Sequence, residues 1–177
     1  MKKIVACMMG FVLAAGCLSG CGENNWVDVS TGAVNYQVPP EWEEKSEEHN
    51  YSDLITTQFS MDNYTFILNY FDLTVDKDPV YQNIDDASEM YEKEENFDGY
   101  YFDDYEKLNP IKIDKYTAKH FTYSLNFTES GKSVDGEYFG FDVEDGIVII
   151  TVTHEKDLDK ASTNLVHKVI KSITVEE

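Results

Sequence analysis

Apolar positions alternate with polar ones over most of the chain beyond residue 33, and the period changes in only two places. Val34, Tyr36 and Val38 alternate with Asn35 and Gln37, the period of a half-buried strand. Pro39 and Pro40 end it, because proline donates nothing to a ladder, and Trp42 returns an aromatic ring to the core. "LITTQFS" and "NYTFILNYF" read as two further strands joined by a turn at Met61, Asp62 and Asn63. In the second of them Tyr64, Phe66, Leu68 and Tyr70 share one face, while Ile67 and Phe71 lie on the other.

Residues 83–96 switch to a helical period. Asn83 is placed to cap, Asp85 and Asp86 suit the positive first turn, and Ile84, Ala87, Met90 and Tyr91 form one stripe. The stretch "FDGYYFDD" reads as a loop. Three long strands follow at about 116–127, 134–143 and 146–154, turned by "TESGKS" and "EDG", with Gly131 and Gly146 available for a positive φ. "GIVIITV" is apolar on both faces, the mark of a central strand covered on both sides. Asp157 is expected to cap a last helix over 157–171, with Leu158, Ala161, Leu165, Val169 and Ile173 towards the core, and "ITVEE" to close as a short strand. Strands, helix, strands, helix with short turns predict an α+β domain: an antiparallel sheet flanked by helices.

The first residues follow a different logic. Lys2 and Lys3 precede an apolar run from Ile4 to Leu18, too short for the ~20 residues of a membrane-spanning helix. Small residues then lead into cysteine. The segment resembles a bacterial lipoprotein signal. "LSGC", ending at Cys21, fits the lipobox at every position, whereas "AAGC", ending at Cys17, has Ala14 where leucine is preferred. The resemblance implies a signal peptide over 1–20, lipid on the Cys21 thiol and cleavage before it. A polar tether over 21–25 and one domain over 26–177 would follow, held by its lipid on the extracytoplasmic face of a membrane. Each buried methylene adds roughly 0.8 kcal/mol, so two or three acyl chains anchor a soluble domain almost permanently.

Composition narrows the chemistry. The cysteines are Cys7, Cys17 and Cys21, so the expected mature chain has no disulfide and no free thiol. The chain has 14 lysines and no arginine against 34 carboxylates; without Lys2 and Lys3 its net charge moves from −20 to −22. Such a field repels nucleic acid and anionic lipid, and the lack of arginine removes the usual bidentate clamp for phosphate. No nucleic-acid partner and no cofactor are expected, and the domain is expected to be a monomer.

Chemical motifs are sparse. "SGKS" at 130–133 lacks the earlier glycine of a phosphate loop, since Asn126 stands there, and it precedes a strand; it reads as a hairpin turn. His49, His120, His154 and His167 are scattered, with His120 and His154 on strands that can bring them together. Oxygen-rich runs at Asp76/Asp78, Asp98/Asp103/Asp104 and Asp142/Glu144/Asp145 are candidates for calcium but lack the spacing of a calcium loop. The aromatic run Tyr100–Phe102 between carboxylates is a candidate for stacking a sugar or gripping a peptide. No serine sits in a G-x-S-x-G elbow.

The order of elements resembles the PsbP-like α/β/α sandwich, shared by a photosystem subunit, a eukaryotic Ran-binding import factor and many small bacterial lipoproteins. The resemblance is carried by "VNYQVPPEW", "IKIDKYTAKHFTYSLNF", "YFGFDVEDGIVIITVTHE" and "LVHKVIKSITVEE", and covers about residues 33–177. Pro39-Pro40-Glu41-Trp42 departs from it, since members often carry glycine before the tryptophan. The resemblance implies binding and assembly roles, with a protein or small-ligand partner, and supplies no catalytic residues. Two readings therefore stand: a non-catalytic binding or assembly module, or an envelope enzyme using paired carboxylates such as Asp103 and Asp104 as acid and base.

Overall fold

The computed structural model describes residues 25–45, 52–75, 79–155 and 158–176. Cys7, Cys17, Cys21, His49, Asp76, Asp78 and Asp157, with the signal segment, lie outside these.

In chain order the elements are β1 (Val27–Thr31), β2 (Val34–Val38), β3 (Glu43–Lys45), β4 (Leu54–Ser60), β5 (Tyr64–Asp72), α1 (Ile84–Glu92), β6 (Asn96–Phe97), β7 (Tyr100–Lys107), β8 (Ile111–Ile113), β9 (Tyr116–Phe127), β10 (Ser133–Val143), β11 (Gly146–His154), α2 (Lys160–Ser172) and β12 (Thr174–Val175). The main sheet runs β3-β4-β5-β11-β10-β9-β7-β6, with β8 also on β9, and the pairings are antiparallel. β1, β2 and β12 make a second, three-stranded antiparallel sheet.

Both faces of the main sheet are covered, as the pattern of "GIVIITV" requires. Val148, Ile150 and Val152 pack with Val34, Tyr36 and Val38 of β2 and with Val166, Val169 and Ile170 of α2. Ile147 and Ile149 face the opposite way, against Ile84, Ala87 and Tyr91 of α1. All seven residues Gly146–Val152 are buried. The chain is thus an α+β fold with an antiparallel sheet between helical layers.

The proline turn also folds as expected. The Trp42 N–H closes on the Pro39 carbonyl at 3.1 Å, and the indole packs against Phe59, Tyr64 and Phe66. Asn83 caps α1, its Oδ1 accepting from the Asp86 N–H at 2.9 Å.

Four details differ from the sequence reading. The first helix ends at Glu92 rather than 96, and Glu94 takes a φ of 50°. Glu92, Glu94 and Glu95 crowd the negative end of the helix dipole, which opposes extension. Secondly, the expected loop "FDGYYFDD" is a hairpin: Phe97 pairs with Tyr100 around Asp98 and Gly99, and Gly99 has a φ of 95°.

Thirdly, the last helix starts at Lys160, capped by Asp159, whose Oδ1 accepts from the Ser162 N–H at 2.8 Å. Its buried stripe is Val166, Val169 and Ile170, continued by Ile173, while Ala161 is exposed. Fourthly, Gly131 has the expected positive φ of 63°, but Gly146 does not. Gly146 is needed for closeness, since a Cβ there would lie 2.4 Å from the Phe71 carbonyl oxygen.

Candidate functional site

The "FDGYYFDD" hairpin places aromatic rings at one end of the main sheet. Phe97 pairs with Tyr100 across β6 and β7, and Tyr100 with Phe127 across β7 and β9. Directly paired residues share a face, so the three rings form one row. The Phe97 and Tyr100 rings stack, with centroids 5.0 Å apart and planes 18° from parallel. Phe102, two residues along β7, meets both edge-on and is buried against Tyr91, the last buried residue of α1. The row therefore continues the packed face beyond the helix into solvent, where Phe97 and Phe127 keep 37% and 39% of their surface.

The turns at this end are held together. The Thr128 N–H donates to the Gly99 carbonyl at 3.0 Å, and the Gly131 N–H closes on Phe127 at 2.9 Å. Asp98 stands exposed on one turn and Glu129 on the other. "SGKS" is thus part of a hairpin turn. Sequence reasoning singled out Tyr100–Phe102 but missed Phe97 and Phe127. The Asp-Gly pair between aromatics was the signal, since it favours a two-residue hairpin.

A second cluster lies between the sheet and α2. His120 Nε2 is 2.7 Å from Glu137 Oε1, and its Nδ1 is 3.1 Å from the Asn109 carbonyl. His167 of α2 approaches the same Glu137 oxygen at 3.7 Å. Burial pushes the Glu137 carboxyl up, but the bond from His120 and the two imidazoles outweigh it and hold the group below its usual value. The two ring nitrogens of His120 thus tie the Asn109 carbonyl of the loop before β8 to the Glu137 carboxyl of β10. The ring stacks on Phe139 with centroids 4.6 Å apart.

The remaining sequence candidates do not converge. His120 and His154 do not meet: His120 faces Glu137 across one stretch of β10, and His154 pairs with Asp135 further along it. Asp103 borders a bulge that contains Asp104, whose φ is 52°. Asp103 Oδ1 accepts from the Asp104 N–H at 2.8 Å, and Asp104 and Asp135 each lie within reach of the Ser124 hydroxyl, at 3.4 and 2.9 Å. Asp142 accepts from the Ile84 N–H at 2.7 Å and serves the start of α1. Among the described residues no three histidine, cysteine or carboxylate groups are placed to hold a metal ion. A cleft of about 180 Å³ beside Tyr105, Leu108, Pro110 and Phe121 contains Lys119, which Asp85 and Glu92 already hold at 2.7 and 3.0 Å.

No protein-family model matches the chain. No curated protein is similar to it in sequence. Solved structures are similar in fold. The solution structure of cyanobacterial PsbP (CyanoP) from Synechocystis matches with a TM-score of 0.51 at 11% identity, over 92% of this chain and 99% of that one. A crystal structure from Bacteroides thetaiotaomicron matches with a TM-score of 0.50 at 11% identity, over 82% of this chain and 46% of that one, so this chain spans about half of that longer protein. The Saccharomyces cerevisiae Ran-binding protein Mog1p gives a TM-score of 0.48 at 13% identity, over 86% and 96% of the two chains, a weaker likeness from which nothing further follows. With its order of strands and its two covering helices, the chain has a PsbP-like α+β fold.

Proposed function

We propose that the chain is a lipoprotein held by lipid on Cys21 at the extracytoplasmic face of a membrane, and that its folded part is a non-catalytic binding module. The anchoring half is supported by the charged start, the apolar run and the lipobox "LSGC". Among the described residues no helix is long and apolar enough to cross a membrane. The binding half is carried by one observation: a row of three aromatic rings, continuous with the core, left open at the end of the sheet.

Labelling with radioactive palmitate, followed by membrane fractionation, tests the anchoring. The wild type and Cys17→Ala take the label and sediment with membranes. Cys21→Ala does not take the label and is released or left unprocessed. Label that survives loss of Cys21 but not of Cys17 overturns the assignment.

A further inference from the structure

We infer that the row of Phe97, Tyr100 and Phe127 docks a basic, lysine- or arginine-bearing segment of a partner protein. The inference rests on the binding-module reading and adds the place and the partner's chemistry. Aromatic faces are negative and attract a cation within ~6 Å of the ring centre. The stem of a lysine or arginine is apolar and lies along ring surface while its head stays polar. The row offers such surface, with Phe97 and Phe127 more than a third exposed.

Carboxylates stand where the cationic heads would arrive. Asp98 and Glu129 are exposed on the two turns that the Thr128-to-Gly99 hydrogen bond holds together. Residues 92–107 carry seven carboxylates and two lysines, and of these lysines Lys93 is paired with Glu89. Lys132, on the neighbouring turn, is paired with Glu155 at 3.7 Å. The row thus lies in a local excess of negative charge. A second copy of this chain, with its net charge of −20, is repelled from it, as is an anionic lipid surface.

The test uses the full chain in detergent. It is titrated with a fluorescein-labelled peptide of alternating lysine and glycine, with the glutamate counterpart of that peptide, and with a labelled chitin oligosaccharide. The lysine peptide binds, more weakly as salt rises, and the other two do not. Phe97→Ser with Phe127→Ser weakens binding about tenfold, and Phe97→Leu with Phe127→Leu, which keeps apolar bulk, also weakens it. Asp98→Asn with Glu129→Gln weakens it about threefold. Glu144→Gln with Asp145→Asn, at the far end of the sheet, changes it less than about twofold.

Binding unaffected by either ring pair, or weakened equally by the two carboxylate pairs, means diffuse charge attraction and overturns the site. Binding of the glutamate peptide or the oligosaccharide in place of the lysine peptide overturns the occupant. Palmitate labelling reads the anchoring separately. Lost peptide binding with labelling intact removes this inference alone, and lost labelling with binding intact removes the anchoring alone.

Discussion

His120 and Glu137 face each other across β9 and β10, Nε2 to Oε1, at 2.7 Å, and His167 brings α2 to the same oxygen. The Glu137 carboxyl is held below its usual value, so its folded-state contribution is present above the ordinary carboxylate range and is lost as the pH falls through its lowered value. Glu137→Gln is expected to cost about 1–3 kcal/mol near pH 6, where a charge-assisted bond to a largely buried group is removed. The stability gap between wild type and variant narrows towards pH 3. Urea unfolding across that range measures it, and a gap independent of pH would show that the charge of the Glu137 carboxylate contributes nothing.

Gly140 and Asp142 of β10 seat the start of α1. A Cβ on Gly140 would lie 2.4 Å from Ile84 Cδ1 and 2.7 Å from the Tyr138 ring, and Asp142 accepts from the Ile84 N–H. Gly140→Ala is expected to destabilise by about 1–3 kcal/mol through overpacking. Asp142→Ala should cost about 1 kcal/mol, because the Ile84 N–H at the start of the helix loses its acceptor. Hydrogen exchange localises both effects. Amides of α1 lose protection before those of β11 if this is the helix's seat.

The two faces of β11 can be tested one at a time. Ile149 is 6% exposed and faces α1; Ile150 is fully buried and faces α2. Ile149→Asp and Ile150→Asp each bury an unpaired carboxylate and should each cost about 4 kcal/mol or more. Chemical denaturation is the measurement. A well-tolerated aspartate on either side would mean that face is open.

Tyr138 is fully buried among Tyr91 and Phe121, and its hydroxyl meets no hydrogen-bonding partner among the described residues. Burial pushes its ionisation far up, so it stays neutral. Tyr138→Phe removes an unsatisfied group without changing the ring. It is expected to stabilise by about 1 kcal/mol, read as a higher thermal midpoint. A loss of stability would reveal a bond made by that hydroxyl.

Much of this was legible along the chain because it is local. The strands at 116–127 and 146–154, the turn at Met61–Asn63 and the Asn83 cap follow from neighbours within one turn or one pleat. The five apolar side chains of "GIVIITV", Ile147 to Ile150 and Val152, already required two covering layers, since they fall on both faces and leave neither wet.

Other features depended on which strands come to lie side by side. β11 pairs with β5, far back in the chain, and nothing in either strand names the other. The bulge between Asp103 and Glu106 breaks the period of β7, which is why a strand read as a loop. Phe127 joined the aromatic row only through its register with Tyr100. Glu137 found His120 and His167 only because β9, β10 and α2 pack together. The period of a side-chain pattern is set by the backbone's own repeat and can be read within a few residues. Register and packing are set by long-range contacts, and these exist only once the sheet has closed.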